Sequence, residues 1–368
     1  MSLVDLRAIL LVLTLGAASC AASAADPAPE RIAPWQPRAG HGRPLVTVVG
    51  ENAGTELTDF VVPFGILAAS GAAEVRALGV EAGPLAMRPA LRVQPDATLA
   101  AFDAEHPEGA DYVVVPAVAD ERVADPVLLA WLRAQADKGA TVVSICDGAL
   151  VVADAGLFDG HRATGHWATR VQREREHPAV HWEQNARWVA DGPRVSSAGV
   201  SAAIPTSLAL VEAIAGTPAA ADLARRLGAS DWSARHDSTP FHLDAGAVLT
   251  YAGNRWFSAT RTLAVPAADG VDEVALALTA DAWARTLRAR VGLRAPAGAA
   301  QVRTRGGLVV LADAVAAQPG AQVVALDDGV PSLDALNQSL AAIDRTFGDG
   351  TARFVALQME YPSVWMTR

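Results

Sequence analysis

One cysteine carries the strongest chemical signal in this chain. Residues 141–154 read TVVSICDGALVVAD, in which Val142, Val143 and Ile145 form the β-branched, apolar run of a buried strand. Cys146-Asp147-Gly148 interrupts that run, and Ala149 to Ala153 opens a helix of small residues. A nucleophile on a strand-to-helix turn is held on a sharp elbow above the sheet. The unpaired N–H groups of a first helical turn favour thiolate over thiol. The sequence therefore predicts a Cys146 that ionises below the roughly 8.5 of a free cysteine. The same pattern also suits a small, inert, buried cysteine.

The surrounding elements must bring other groups to that turn. Residues 45–49 read as a buried strand closed by Gly50, and 58–67 as a helix with Pro63 near its start, where a missing N–H is tolerated. Short strands follow at 75–78 and 91–93, a helical turn at 95–99 and a buried strand at 111–116. Residues 126–138 form a crossover helix with Trp131 and Leu132 on its apolar face. After the elbow come a strand at 194–197 and a closing helix at 206–215. Strands alternating with helices imply an α/β fold with a doubly wound, mostly parallel sheet and ligands outside the strands' C-terminal ends. Cys146 falls at such an end.

The longer stretch SICDGALVVADAGLFDGHRATGHW, residues 144–167, resembles the DJ-1/PfpI family (ThiJ/PfpI, class I glutamine amidotransferase-like, with a flavodoxin-like sheet). Within it the chain is similar to the sensor half of AraC-type regulators and to isocyanide-hydratase-like members, over residues 44–228. The resemblance places the reactive cysteine at Cys146 and a Thr-x-His-type histidine at His166, a base or hydrogen-bond partner for the thiol. It also puts an acid four positions before Pro63, which is Asp59, where it would polarise the cysteine. Asp59 at a helix N-terminus would alternatively stabilise the helix alone, and Glu56 is a second candidate for the acid. Ser201, in Gly199-Val200-Ser201, would line the pocket.

Two departures qualify what the resemblance implies. Ala117-Val118 replaces the family's usual Gly-Gly, whose backbone N–H helps form an oxyanion hole, and two Cβ atoms narrow the allowed dihedrals. Asp147 replaces the histidine that follows the cysteine in PfpI-type peptidases; a carboxylate there opposes the thiolate. Peptidase activity is therefore rejected as the leading reading. The implied chemistry is cofactor-free addition at a small electrophile, of hydratase, glyoxalase-like or amidase-like type. The alternative is a non-catalytic small-ligand or thiol redox-sensing module. His177, His181 and Trp182 lack metal-ligand spacing, so no metal is expected.

Composition bounds the rest. The chain has 368 residues, 51% apolar and 19% charged, enough for two units. A net charge of −10 without a basic cluster argues against nucleic-acid binding. Residues 1–24 read as a signal peptide, with Arg7, an apolar core from Ala8 to Leu15 too short to span a bilayer stably, and Ala22-Ser23-Ala24 as cleavage site. A periplasmic or secreted location follows. The rival, lipidation at Cys20 after Ala17-Ala18-Ser19, is the poorer match. Cleavage would leave Cys146 as the one thiol.

Residues 25–43 form a flexible lead-in, and 229–261 a polar, aromatic-containing connection. Residues 262–368 then read as a smaller α/β unit, a degenerate and truncated repeat of the first. Gly270-Val271-Asp272-Glu273 echoes Gly54-Thr55-Glu56-Leu57, and Leu308 to Asp313 echoes Leu91 to Asp96. Strand 321–326, helix 333–346 and strand 354–359 would complete it, with Gln358-Met359-Glu360 at the elbow place and no closing helix. The unit is expected to dock on the first as an internal partner without supplying a catalytic group. Pairing of two chains as a homodimer is the other option.

Overall fold

In a computed structural model, the described residues are 29–37, 42–118, 124–327 and 329–366. The expected signal peptide, its cleavage site and Cys20 lie outside them. Among the described residues no helix is long and apolar enough to cross a membrane.

The first unit comprises β1 (Leu45–Gly50), α1 (Leu57–Ser70), β2 (Glu74–Gly79), β3 (Leu85–Arg88), β4 (Arg92–Gln94), β5 (Ala97–Thr98), α2 (Leu99–Glu105), β6 (Tyr112–Val115) and α3 (Pro126–Asp137). It continues with β7 (Thr141–Ser144), α4 (Gly148–Asp154), α5 (Arg170–Glu176), β8 (Trp188–Asp191), β9 (Arg194–Ser197), α6 (Ala203–Ala215) and α7 (Thr217–Leu227). Seven strands form one sheet in the order β8-β9-β7-β6-β1-β2-β5, parallel except for the β8–β9 pair. Every residue of β1 is buried, as expected for a parallel strand covered on both faces. The mostly parallel, doubly wound α/β fold is thus present, with helices α2, α3 and α4 contributing to the core on one face and α1 and α6 on the other.

Pro63 is in the second turn of α1, not at its start, because the helix begins at Leu57. Proline cannot donate to the carbonyl four residues back. The helix is nevertheless buried from Leu57 to Leu67, packed between α6 and the second unit, so tertiary contacts outweigh the lost bond.

The connection at 229–261 is not all irregular: α8 (Ala245–Trp256) lies within it, with Asp244 capping through its side chain. The second unit follows as β10 (Arg261–Pro266), α9 (Glu273–Ala284), β11 (Ala289–Arg294), β12 (Gln301–Arg303), β13 (Val309–Leu311), β14 (Gln322–Val323), α10 (Ser332–Phe347) and α11 (Asp349–Gln358). Its parallel sheet, β11-β10-β14, reproduces the β2-β1-β6 order. Five elements recur at nearly constant spacing: β1 and β10, α1 and α9, β2 and β11, β3 and β12, β4 and β13 start between 215 and 217 positions apart. The two hairpins meet at an antiparallel joint, Val93 opposite Val310. Helices α1 and α9 pack against each other, and a single hydrophobic core contains residues of both units.

The end of the unit differs from expectation. Residues 354–359 are mostly helix α11, not an elbow strand: Thr351, Ala352, Val355 and Ala356 bury one helical face. Helices α10 and α11 join at Gly348 (φ 91°) as α6 and α7 join at Gly216 (φ 85°). Closing helices are therefore present. What is missing is the middle: residues 324–331 alone separate β14 from α10, where residues 116–202 separate β6 from α6. Among the described residues the second unit has no counterpart of β7, the elbow or α4.

Candidate functional site

The elbow forms where β7 ends. Ile145 N–H still bonds the Val115 carbonyl, at 2.9 Å. Cys146 then turns into the left-handed region, φ 57°, a conformation that costs a non-glycine residue about 1–3 kcal/mol. Gly148 is required two residues on, because a Cβ there would sit 2.0 Å from the Val115 oxygen. The Cys146 N–H bonds Ser197 Oγ at 3.3 Å, and the residue is only 5% exposed.

Asp59, from the first turn of α1, is fully buried beside this turn. Its Oδ2 accepts the Ala117 N–H at 3.2 Å, and its Oδ1 has no hydrogen-bond partner among the described residues. The donor expected to form an oxyanion hole is thus committed to Asp59. Ala117 also accepts the Glu56 N–H at 2.9 Å, and Val118 bridges to Thr55, so this segment frames α1 and does not stand free. Burial pushes the Asp59 carboxyl well up from its ordinary value, against the Ala117 bond and the Arg285 charge, which favours a neutral acid.

The electrostatics run against the expected activation of the thiol. Burial, then the charges of Asp59, Asp147 and Glu56, push Cys146 well above its ordinary value. The N-terminus of a helix as short as α4, seven residues, is outweighed by lost solvation and surrounding carboxyls.

Asp147 is buried as well and faces Thr169 and His166. Its Oδ1 accepts Thr169 Oγ1 at 2.5 Å, and its Oδ2 lies 4.0 Å from His166 Nδ1. Burial raises the Asp147 carboxyl, while His166, the Thr169 bond and Arg173 pull it back. His166 Nε2 is 3.1 Å from the Gln358 carbonyl, which can only accept, so Nε2 carries a proton and Nδ1 faces Asp147. Cys146, Asp147 and His166 do come together: their ligand-type atoms all lie within 4.8 Å of one another. Those are the residues that would hold a metal here. Tetrahedral zinc brings its ligands to about 3.5 Å of each other, and Asp147 and His166 are already engaged.

Ser201 commits both of its donors within the protein. Its hydroxyl bonds the Glu360 carbonyl at 2.7 Å and its N–H the Met359 carbonyl at 2.9 Å. It lines a cavity of about 240 Å³ shared with Gly199, His236 and Glu360. A second cavity, about 510 Å³, lies on the Trp167 and Arg173 side of the site.

Several site groups come from the second unit and have no local signature in the sequence. Glu360 is 2% exposed; its Oε2 accepts Gly199 N–H at 2.7 Å and its Oε1 meets His236 Nε2 at 2.8 Å. Arg285 pairs with Glu56, and with Asp281 at 2.7 Å. Asp281 in turn accepts Thr58 Oγ1 at 2.6 Å.

The pattern of the DJ-1/PfpI family matches residues 46–213. The HTH-type transcriptional regulator CdhR of Pseudomonas aeruginosa is 33% identical over 134 residues, 36% of this chain and 38% of the regulator. This chain thus spans well under half of that relative's length. The isonitrile hydratase of Pseudomonas putida is 28% identical over 166 residues, 44% of this chain and 68% of the hydratase. Among solved structures, Drosophila melanogaster DJ-1beta covers 51% of this chain and all of its own, at 21% identity and a TM-score of 0.46. Residues 46–213 thus match the DJ-1/PfpI family pattern and are similar to a transcriptional regulator and to an isonitrile hydratase.

Proposed function

We propose that this protein is an exported DJ-1/PfpI-family member in which Cys146 adds to a small electrophile, without a cofactor. The observation that carries this reading is the elbow: a cysteine held at φ 57° beside a buried carboxyl, one of whose oxygens has no partner among the described residues. Likeness to an isonitrile hydratase over 68% of that enzyme's length supports hydration as the reaction class. In such a step the sulfur bonds the electrophilic carbon and the thiol proton passes, by way of Asp59, to the atom that gains the electron pair. Water then adds to the same carbon, the C–S bond breaks, and the proton returns to sulfur. The net change is addition of one water, with no oxidant or reductant. His166 and Asp147 hold a proton on the opposite flank, where water would be oriented.

A non-catalytic reading has an observation of its own. The Ala117 N–H is occupied by Asp59 and the thiol is held neutral, as suits a module that binds a small ligand, and the CdhR likeness fits that role. Turnover of small isonitriles, aldehydes and amides by the wild-type protein, lost in Cys146→Ala, supports the enzyme. Binding without turnover, with affinity unchanged in Cys146→Ser, supports the sensor.

A further inference from the structure

We propose that Arg285, contributed by the second unit, is a positioning residue of the Cys146 site. This rests on the reading of Cys146 as the reactive group, and it assigns the second unit a part in the chemistry. Arg285 follows the last turn of α9 and reaches across the α1–α9 contact. Its Nη2 pairs with Glu56 at the N-terminus of α1, and its Nε holds Asp281, which anchors Thr58 one residue before Asp59. Its carbonyl accepts Gln358 Nε2 at 3.0 Å, and the Gln358 carbonyl accepts His166 Nε2 at 3.1 Å. One residue thereby ties together both flanks of the cysteine, the Glu56–Asp59 turn and His166.

The charge pattern gives this link a purpose. The ionisable groups around the Cys146 sulfur are Glu56 and Asp59 from α1, Asp147 from the elbow, His166 and Arg173 after it, and Arg285 from the second unit. Arg173 is tied to Thr169 and to the His166 carbonyl. Arg285 faces the α1 carboxyls. Only 14% of its side chain and 17% of that of Glu56 are accessible. A guanidinium buried there without a partner would be strongly disfavoured. Burial opposes its charge, but Asp281 and Glu56 outweigh that and keep it protonated. At the 216-residue spacing of α1 and α9, the position matching Arg285 is Ala69, and the one matching Asp59 is Ala275. Each unit keeps one half of the arrangement: the acid and the thiol on one side, the cation on the other.

The test is the thiolate ultraviolet absorbance of the full chain against pH, with Cys146→Ala as the blank. It reads ionisation whether or not the thiol turns over a substrate, so an inactive Cys146 would sink the proposed function and leave this result readable. Arg285→Gln should move the thiol midpoint up by about one unit, a roughly tenfold smaller thiolate fraction, and Arg285→Lys should restore part of it. Glu56→Gln, which keeps the Arg285–Asp281 contact, should move the midpoint the opposite way. An unchanged midpoint in folded Arg285→Gln overturns the proposal. So does a midpoint that falls to the free-cysteine value, which marks a purely structural role. Should Arg285→Gln fail to fold, Glu56→Gln decides alone, an unmoved midpoint overturning it.

Discussion

Cys146 lies where two effects oppose each other, and the larger one wins. The helix end that favours thiolate belongs to a seven-residue helix, whereas burial and three carboxyls act on the sulfur at once. Native Cys146 should therefore alkylate with a pH midpoint above about 8.5; iodoacetamide kinetics showing a lower midpoint would contradict this electrostatic account. Asp59 gives a stability counterpart. Its folded-state value is raised above its unfolded value of about 3.9. In the window between the two, the native state holds a proton that the unfolded chain releases, so stability falls as pH rises through that window. Asp59→Asn keeps an acceptor for Ala117 and removes the charge. It should raise the melting temperature at pH about 7 and lose that advantage as the pH falls below about 3, where both states are largely protonated. A variant less stable at neutral pH would mean that Asp59 is held ionised. At this scale the sequence was informative about Cys146, Asp59, Asp147 and His166, because a contiguous motif or a fixed offset from Pro63 marks them. Arg285, Gln358 and Glu360 were not legible, since their partners lie as far as 229 positions away.

Among the elements, the turn at Cys146-Asp147-Gly148 depends on backbone approach more than on side chains. Gly148→Ala would push a Cβ into the Val115 carbonyl at 2.0 Å. A destabilisation of about 3 kcal/mol is expected by urea unfolding, at the high end for overpacking; a loss under about 1 kcal/mol would show that the elbow shifts freely. The strands of the first unit were legible because parallel strands buried on both faces are continuous apolar runs. The same rule misled at residues 321–326 and 354–359. Val323 is 58% exposed, since β14 lacks the neighbour that β7 gives β6. Residues 354–358 satisfy helical burial as well as an apolar run, and short runs cannot separate the two. The helix α8 was hidden in a stretch whose apolar residues, Leu249, Trp256 and Phe257, face outward.

For the whole molecule, the second unit completes the first. Gly65 of α1 leaves room for α9 so closely that a Cβ there would fall 2.7 Å from Glu273 and 2.8 Å from Val274. A chain ended at Gly228 would expose the α1 face together with Glu56 and Thr58, so it should aggregate or melt well below the full protein. A soluble fragment with unchanged melting temperature and thiol reactivity would contradict this. The repeat was visible in outline from its α1-like and hairpin segments; its deleted middle was not, because an absence leaves no pattern to read. The central claim remains that Cys146 is the group that reacts, and intact-mass analysis tests it most directly. Wild-type protein and Cys146→Ala, folded and incubated with a panel of small isonitriles and aldehydes, are compared for covalent adducts and for hydrated product. The account predicts an adduct or product that depends on Cys146, and turnover that weakens in Asp59→Asn. Equal product from wild-type protein and Cys146→Ala, or labelling of Cys146 only after denaturation, would contradict it.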